Sequence, residues 1–324
     1  MEIEVKNLLT QEIVNKLIKK WFPEYNNLKL LGENENFVYQ LDESFIFRIT
    51  HSSHRTKNLI LAELDWINYL YENGINVSNP VISKNNSFIE IYDLSDSYFI
   101  ACVFEKSVGE KAYINSITEI NELSISNLGK MVGKLHNLSK DYRFKKYKRN
   151  EWYEEDSVLN NGAYLPSSEK TIINEIFKLK NKFINLPKSN DSYGLIHADI
   201  HAGNFFIKDD NIILFDFDDS CYHWYIYDIA IIIYSYVLGL NENEDKVFYG
   251  KKFANIFLES YFSINNLDNK WLKLLPDIFR FRELLLYDFI YKKWDFKNLN
   301  LKQKLFFDSI SFRIKNNIDL IANL

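Results

Sequence analysis

Cysteine is almost absent: Cys102 and Cys221 are the only two in 324 residues. So small a number supplies no disulfide framework, and two buried thiols in a reducing compartment are expected rather than a bridge. Five prolines and ten glycines are too few for a linker-rich chain and predict long regular elements. A long hydrophobic run is missing as well. The best candidate, Ile229 to Leu240 (IAIIIYSYVLGL), is shorter than the ~20 residues that a helix needs to cross a bilayer. The opening segment MEIEVKNLLT has neither the basic nor the apolar region of a signal peptide, so a soluble cytoplasmic protein is expected. Nor is there an excess of positive charge. Lys and Arg number 39 against 44 Asp and Glu, a formal charge of −5, which disfavours nucleic acid or an anionic membrane as the main partner.

What is present is apolar and aromatic. The hydrophobic share is 47% and the aromatic share 16%, the composition of a globular chain long enough for two lobes. Thr10 is placed to cap a helix that carries Ile13, Val14, Leu17, Ile18 and Trp21 on one face. Strand-like runs follow at 28–31, 37–41 and 45–49, the last two joined by a turn at 42–44. A helix is predicted over 56–72, stopped near Gly74, and two more strands over 87–92 and 98–105. From there the pattern is helical, over 118–138, 168–184, 225–239, 244–263, 270–292 and 300–322. Residues 140–165 show no period that assigns them to an element. The expectation is an α+β chain: a small N-terminal antiparallel sheet lobe over 1–106 and a larger helical lobe over 107–324.

One stretch concentrates the chemistry: LIHADIHAGNFFIKDDNIILFDFDDS, Leu195 to Ser220. His197, Asp199 and His201 alternate by two, which on a strand would give three metal ligands of a hydrolase on one face. Ala202, Gly203 and Asn204, however, read as a loop entering a strand. Phosphoryl transfer uses more of the stretch, because it needs an acid to orient the acceptor hydroxyl and hard oxygen ligands for magnesium. Asp199 supplies the acid and Asn204 an amide oxygen. The runs at 205–208 and 212–215, joined by a turn at 209–211, form a hairpin that returns Asp216 toward the same ion.

The stretch resembles the catalytic segment of the aminoglycoside phosphotransferase and choline kinase superfamily, with its His-Gly-Asp-Leu-His-x-Gly-Asn and Asp-Phe-Asp/Glu signatures. Ala198 stands where that family usually has glycine. SNLGKMVGKLHNLS (126–139) and YDIA (227–230) are similar to the helices before and after it. The resemblance implies a bilobal protein-kinase-like fold and an ATP- and magnesium-dependent transfer of phosphate to a hydroxyl of a small molecule. It implies Asp199 as catalytic acid/base, Asn204 and Asp216 as metal ligands, and Asp228 as a brace for the catalytic loop. A non-catalytic kinase-fold protein with a structural or regulatory role is the alternative it leaves.

The nucleotide residues are read on the same footing. Alternation in FIFRIT places Arg48 opposite Phe45, Phe47 and Ile49, where a kinase needs a cation on the phosphates. Glu63 on the following helix is its expected partner. The loop GENENFVY, with Gly32 and Asn36, would cover the phosphates, and backbone groups near Glu105 and Ser107 would meet the adenine edge. For an amine-bearing acceptor the candidate lining is Asp218, Tyr222, Trp224, Tyr225, Glu283, Tyr287, Asp288 and Trp294, since carboxylates and ring faces attract cations, although a stripe of this kind at helical spacing is more often core or surface.

Overall fold

A computed structural model of the chain describes residues 3–111, 121–241 and 244–321. Near the N-terminus, α1 (Ile3–Leu8) precedes α2 (Gln11–Ile18), whose first turn is capped by the Thr10 hydroxyl accepting from the Ile13 amide. Three antiparallel strands follow, β1 (Leu28–Gly32), β2 (Phe37–Leu41) and β3 (Phe45–His51). Asp42 adopts the positive φ that the tight 42–44 turn requires. Helix α3 (Lys57–Glu72), capped by Thr56, leads to β4 (Pro80–Val81), β5 (Glu90–Asp93) and β6 (Tyr98–Glu105). The strands form one sheet in the order β1-β2-β3-β6-β4, with β5 also paired to β6. The apolar face of α2, with Trp21, packs on Leu41, Phe47, Ile49, Phe99, Ala101 and Val103, which is why its 3.6-residue spacing was readable.

The chain divides into two compact units, Met1–Glu110 with Tyr142–Arg149 and Ile213–Asp218, and Lys111–Asp141 with Asn150–Ile212 and Asp219–Leu324. The boundary read from the sequence, between 106 and 107, falls close to the first crossing but gives no hint of the two returning segments. Leu214 is tied to the first unit by backbone, bridging Val77 and exchanging amide bonds with Asn76 and Ser78, and side chains tie in 142–149. In the first unit the Tyr142 hydroxyl donates to Asp65 at 2.8 Å and its ring lies 4.7 Å from Trp66, while Arg149 donates to the carbonyls of Leu59 and Asp218. Such contacts have no sequence period, so 140–165 was unassigned.

The second unit begins with β7 (Glu110–Lys111), at the crossing, and α4 (Glu122–Asp141). The start expected for α4 at 118 lies outside the described residues. Short turns and α5 (Asp156–Leu159) lead to α6 (Lys170–Ile184), then β8 (Tyr193–Ile196), β9 (Phe205–Lys208), β10 (Asn211–Leu214), whose last two residues count with the first unit, and β11 (Cys221–Trp224). Helices α7 (Tyr225–Gly239), α8 (Lys246–Phe262), α9 (Leu275–Lys293) and α10 (Leu301–Asn316) complete it. A three-stranded sheet has the order β10-β9-β7. Gly129 and Gly133 of α4 are a close-approach requirement: a Cβ would lie 2.4 Å from the Phe257 carbonyl of α8 at the first, and 2.9 Å from Ile264 at the second. Neither cysteine is in a disulfide and both are buried, as expected. No helix among the described residues is long and apolar enough to cross a membrane.

Two buried histidines of this unit give stability a pH dependence. The His223 Nδ1 accepts from the Trp224 amide at 2.8 Å and its ring stacks on Tyr227, so it is neutral. Burial, with Lys188 adding to it, pushes its pKa well down, and burial likewise lowers that of His136 against the opposing pull of Asp228. Unfolded histidines take protons near pH ~6.5, so below that pH the unfolded state holds more protons. The stabilisation is whole above pH ~6.5 and is lost as pH falls toward the folded values. Melting curves between pH 8 and 5 should show the decline. His223→Gln should make it shallower by about 1.4 kcal/mol per pH unit, and an unchanged slope would remove His223 from this role.

Candidate active site

Strand β8 pairs antiparallel with β11, Ile196 opposite Cys221 and Tyr193 opposite Trp224. Residues 197–220 therefore leave and return at one point, a closed loop that carries the sequence-predicted acids. Neither strand was expected, except that the end of β8 opens the stretch singled out above. The loop is anchored by Asp228 in the first turn of α7, where the helix N-terminus favours a carboxylate. Asp228 Oδ1 accepts from the Ala198 amide at 2.7 Å, and Oδ2 from the His197 amide at 3.0 Å and from His136 Nε2 at 3.2 Å. These bonds hold Ala198 at φ +69, a left-handed conformation that explains why glycine is usual there.

Within this frame Asp199 and Asn204 are brought together. Asn204 Nδ2 donates to the Asp199 carbonyl at 3.0 Å and to its carboxylate Oδ2 at 3.2 Å. With both donated bonds directed at Asp199, the amide's oxygen keeps its capacity as an acceptor or metal ligand. Asp199 Oδ1 accepts from Arg282 Nη2 of α9 at 2.9 Å, and His201 Nε2 lies 3.4 Å from Oδ2. Burial alone would raise the Asp199 pKa. The His201 hydrogen bond and the Arg282 guanidinium outweigh it and hold the carboxyl well below the usual carboxylate range. Arg282 was not anticipated. It sits in the charged segment Arg280-Phe281-Arg282-Glu283, where nothing in the sequence singles it out, and its partner lies 83 residues away.

The hydrolase ligand set does not form. The Asp199 amide donates to His197 Nδ1 at 3.4 Å, and the His197 ring is fully buried. Among the described residues the one group of three with metal-ligating atoms within 4.8 Å of one another is Glu35, His54 and Asp218, in the first unit. The loop geometry defeats the strand alternation on which the His197, Asp199 and His201 set depended.

The first unit holds the expected nucleotide residues. Arg48 of β3 and Glu63 of α3 form a two-pronged pair, Nη1 to Oε1 and Nη2 to Oε2, each at 2.8 Å, and both are buried. The guanidinium lies over the Phe104 ring at 5.2 Å. Its Nε has no hydrogen-bond partner, and each Nη retains a second hydrogen, so the group is anchored with donors to spare. Gly32 ends β1 at a register irregularity against β2, and a Cβ there would meet nothing within 4 Å. Asn36 is partly committed, because its side-chain oxygen accepts from the Thr50 hydroxyl at 2.6 Å. The Glu105 amide is unavailable to an adenine edge, since it donates to the Asn79 carbonyl at 2.8 Å. The Ser107 side chain pairs with Ser78, which leaves its backbone.

Asp216 lies in the first unit, exposed and at φ +65. Asp218 is buried there, 2.7 Å from His54 Nε2 and 3.7 Å from Arg55 Nε. Burial would raise its pKa, but the His54 bond and the arginines hold it low. Most of the expected lining is core as well. Trp224, Tyr225, Tyr287 and Asp288 are buried, and Glu283 is closed in a pair with Arg313 at 2.7 Å. Aromatic and acidic residues at helical spacing point inward here because α7 and α9 are buried on most sides.

The chain is similar to known proteins along most of its length. The family described as Phosphotransferase enzyme family matches residues 28–251. Amicoumacin kinase of Bacillus subtilis (strain 168) is 31% identical over 304 residues, 92% of this chain and 89% of that protein. A solved amicoumacin kinase in complex with AMP-PNP, Ca2+ and Ami superposes with a TM-score of 0.91 at 33% identity, covering 99% of this chain and 98% of that one. A microcompartment-associated aminopropanol kinase, at 18% identity and a TM-score of 0.73 over 96% and 99% of the two chains, shares the fold.

Proposed function

This chain belongs to the phosphotransferase enzyme family, and we propose that it transfers the γ-phosphate of ATP, with magnesium, to a hydroxyl of an amicoumacin-like small molecule. The observation that carries the proposal is the double hydrogen bond from Asn204 Nδ2 to Asp199, which ties a candidate base and a candidate ligand amide into one rigid unit. Amicoumacin is chosen as acceptor because the similar kinases are named for it, and AMP-PNP with Ca2+ in one of them supports ATP and a divalent ion here.

The transfer assigns each group a task. Asp199 accepts a hydrogen bond from the acceptor hydroxyl, aligns its oxygen with the γ-phosphorus and takes the proton late in the step. The new oxygen–phosphorus bond forms as the bond to the β–γ bridging oxygen breaks, and ADP leaves with that electron pair. Arg48, held by Glu63, steadies the phosphates through its remaining donors, and the Gly32–Asn36 turn covers them. Asn204 Oδ1 and the Asp216 carboxylate are hard oxygen donors of the kind magnesium selects, and two protein ligands suffice because the ion keeps several waters. When bound, the ion neutralises charge on the phosphates. The backbone of Ser107 and the Glu105 carbonyl are the groups proposed for the adenine edge.

Two measurements check this. Incubation with magnesium-ATP and amicoumacin should give one ADP per acceptor gaining a phosphate, read by mass spectrometry. Nucleotide binding without turnover, on amicoumacin and on a panel of amino-alcohols and aminoglycosides, would instead support a non-catalytic role. Arg48→Ala should weaken ATP binding by about tenfold or more, the worth of a charge-assisted hydrogen bond, by calorimetry. An unchanged affinity would confine Arg48 to a structural pair with Glu63.

A further inference from the structure

We propose that Arg282 is a positioning residue for the transfer step: its guanidinium fixes the orientation of the Asp199 carboxylate so that one oxygen is directed at the acceptor hydroxyl. The inference rests on the reading of Asp199 as the base.

The carboxylate has two unequal oxygens. Oδ1 takes the shortest contact, 2.9 Å from Arg282 Nη2, while Oδ2 has only the longer approaches of Asn204 at 3.2 Å and His201 at 3.4 Å. Asn204 spends its better bond, at 3.0 Å, on the Asp199 backbone carbonyl. Arg282 therefore sets the rotation of the carboxylate about its last bond, and Oδ2 keeps the capacity to accept from a hydroxyl.

The two partners sit on elements of different stiffness. Asp199 lies in the closed loop between β8 and β11. Arg282 lies in α9, flanked by the fully buried Phe281 and by Glu283 locked to Arg313, with Leu284 and Leu285 buried beyond. Placement of the guanidinium is thus dictated by the packing of a long helix, and the loop carboxylate is referenced to it. A site held from a rigid element keeps the sub-ångström tolerance that in-line transfer needs. The pair is not sealed off. Arg282 and Asp199 side chains retain 30% and 21% exposure, so an acceptor can reach the carboxylate while the clamp is in place. A lysine there would offer a point charge and no planar fork.

Steady-state kinetics with magnesium-ATP and amicoumacin on Arg282→Ala and Arg282→Lys test this, with Asp199→Asn run beside them. Arg282→Ala should lose about 100-fold in kcat, with both KM values staying within about threefold because no substrate contact has been removed. Arg282→Lys should recover part of the loss, and millimolar guanidinium should restore about tenfold to Arg282→Ala and nothing to Asp199→Asn. A kcat within about threefold of the parent, or a raised KM with kcat retained, would overturn the inference. Should Arg282→Ala fail to fold, Arg282→Gln, which keeps most of the stem, is judged by the same criteria. Full turnover in Asp199→Asn would remove the base assignment itself. Loss in Asp199→Asn with retention in Arg282→Ala would remove only the role of Arg282.

Discussion

Asp199→Asn is expected to lower kcat by about 10²–10⁴-fold, the range contributed by a positioned acid or base, while the affinity for ATP stays within about threefold. The substitution is nearly isosteric, so the loop keeps its shape. What changes is the chemistry at Oδ1 and Oδ2, which now meet Arg282, His201 and Asn204. An amide cannot take the acceptor's proton, and its NH2 turned toward Arg282 sets donor against donor. The Arg48–Glu63 pair in the first unit is untouched, which is why nucleotide affinity is expected to survive. Calorimetry with ATP and an ADP-release assay on the same preparation separate the two effects, and equal losses in both would deny Asp199 a role confined to transfer.

Asp228→Asn should be the costliest substitution for stability, by about 3–5 kcal/mol. Both oxygens of the buried carboxylate are occupied, one by the Ala198 amide and the other by the His197 amide and His136. An asparagine satisfies one amide and presents its own NH2 to the other, leaving a buried donor unpaired at about 1–3 kcal/mol, and it removes the charge that His136 faces. The loop that carries Asp199 is then released from its φ-strained conformation at Ala198, so turnover should fall along with the urea midpoint. A loss below about 1 kcal/mol would mean that the loop is held elsewhere.

Periodicity and a cap made the first unit legible: Thr10 caps the helix expected of it, and β2, β3 and β6 begin where expected. Arg48 and Glu63 were readable because strand alternation fixes the face of one, and helical spacing the face of the other. The β8–β11 pair was not readable, since each strand has four residues and its partner lies far along the chain. The same holds for Tyr142–Arg149 and Ile213–Asp218, which join the first unit through long-range contacts such as Tyr142 to Asp65 and the Val77–Leu214 backbone bridge. Glu283, Tyr287 and Asp288 have the chemistry of an amine pocket, but at helical spacing such residues are more often core, and here they are buried. Glu105 sits at the end of β6 as expected, but its amide is spent on Asn79, a bond that no residue type announces.

The most direct test of the account is where a divalent ion sits. Crystals grown with Mn2+ and AMP-PNP should give an anomalous peak about 2.0–2.3 Å from Asn204 Oδ1 and an Asp216 oxygen, with the triphosphate against it and Asp199 facing the γ-phosphate. A peak held instead by Glu35, His54 and Asp218, with none beside Asn204, would contradict it.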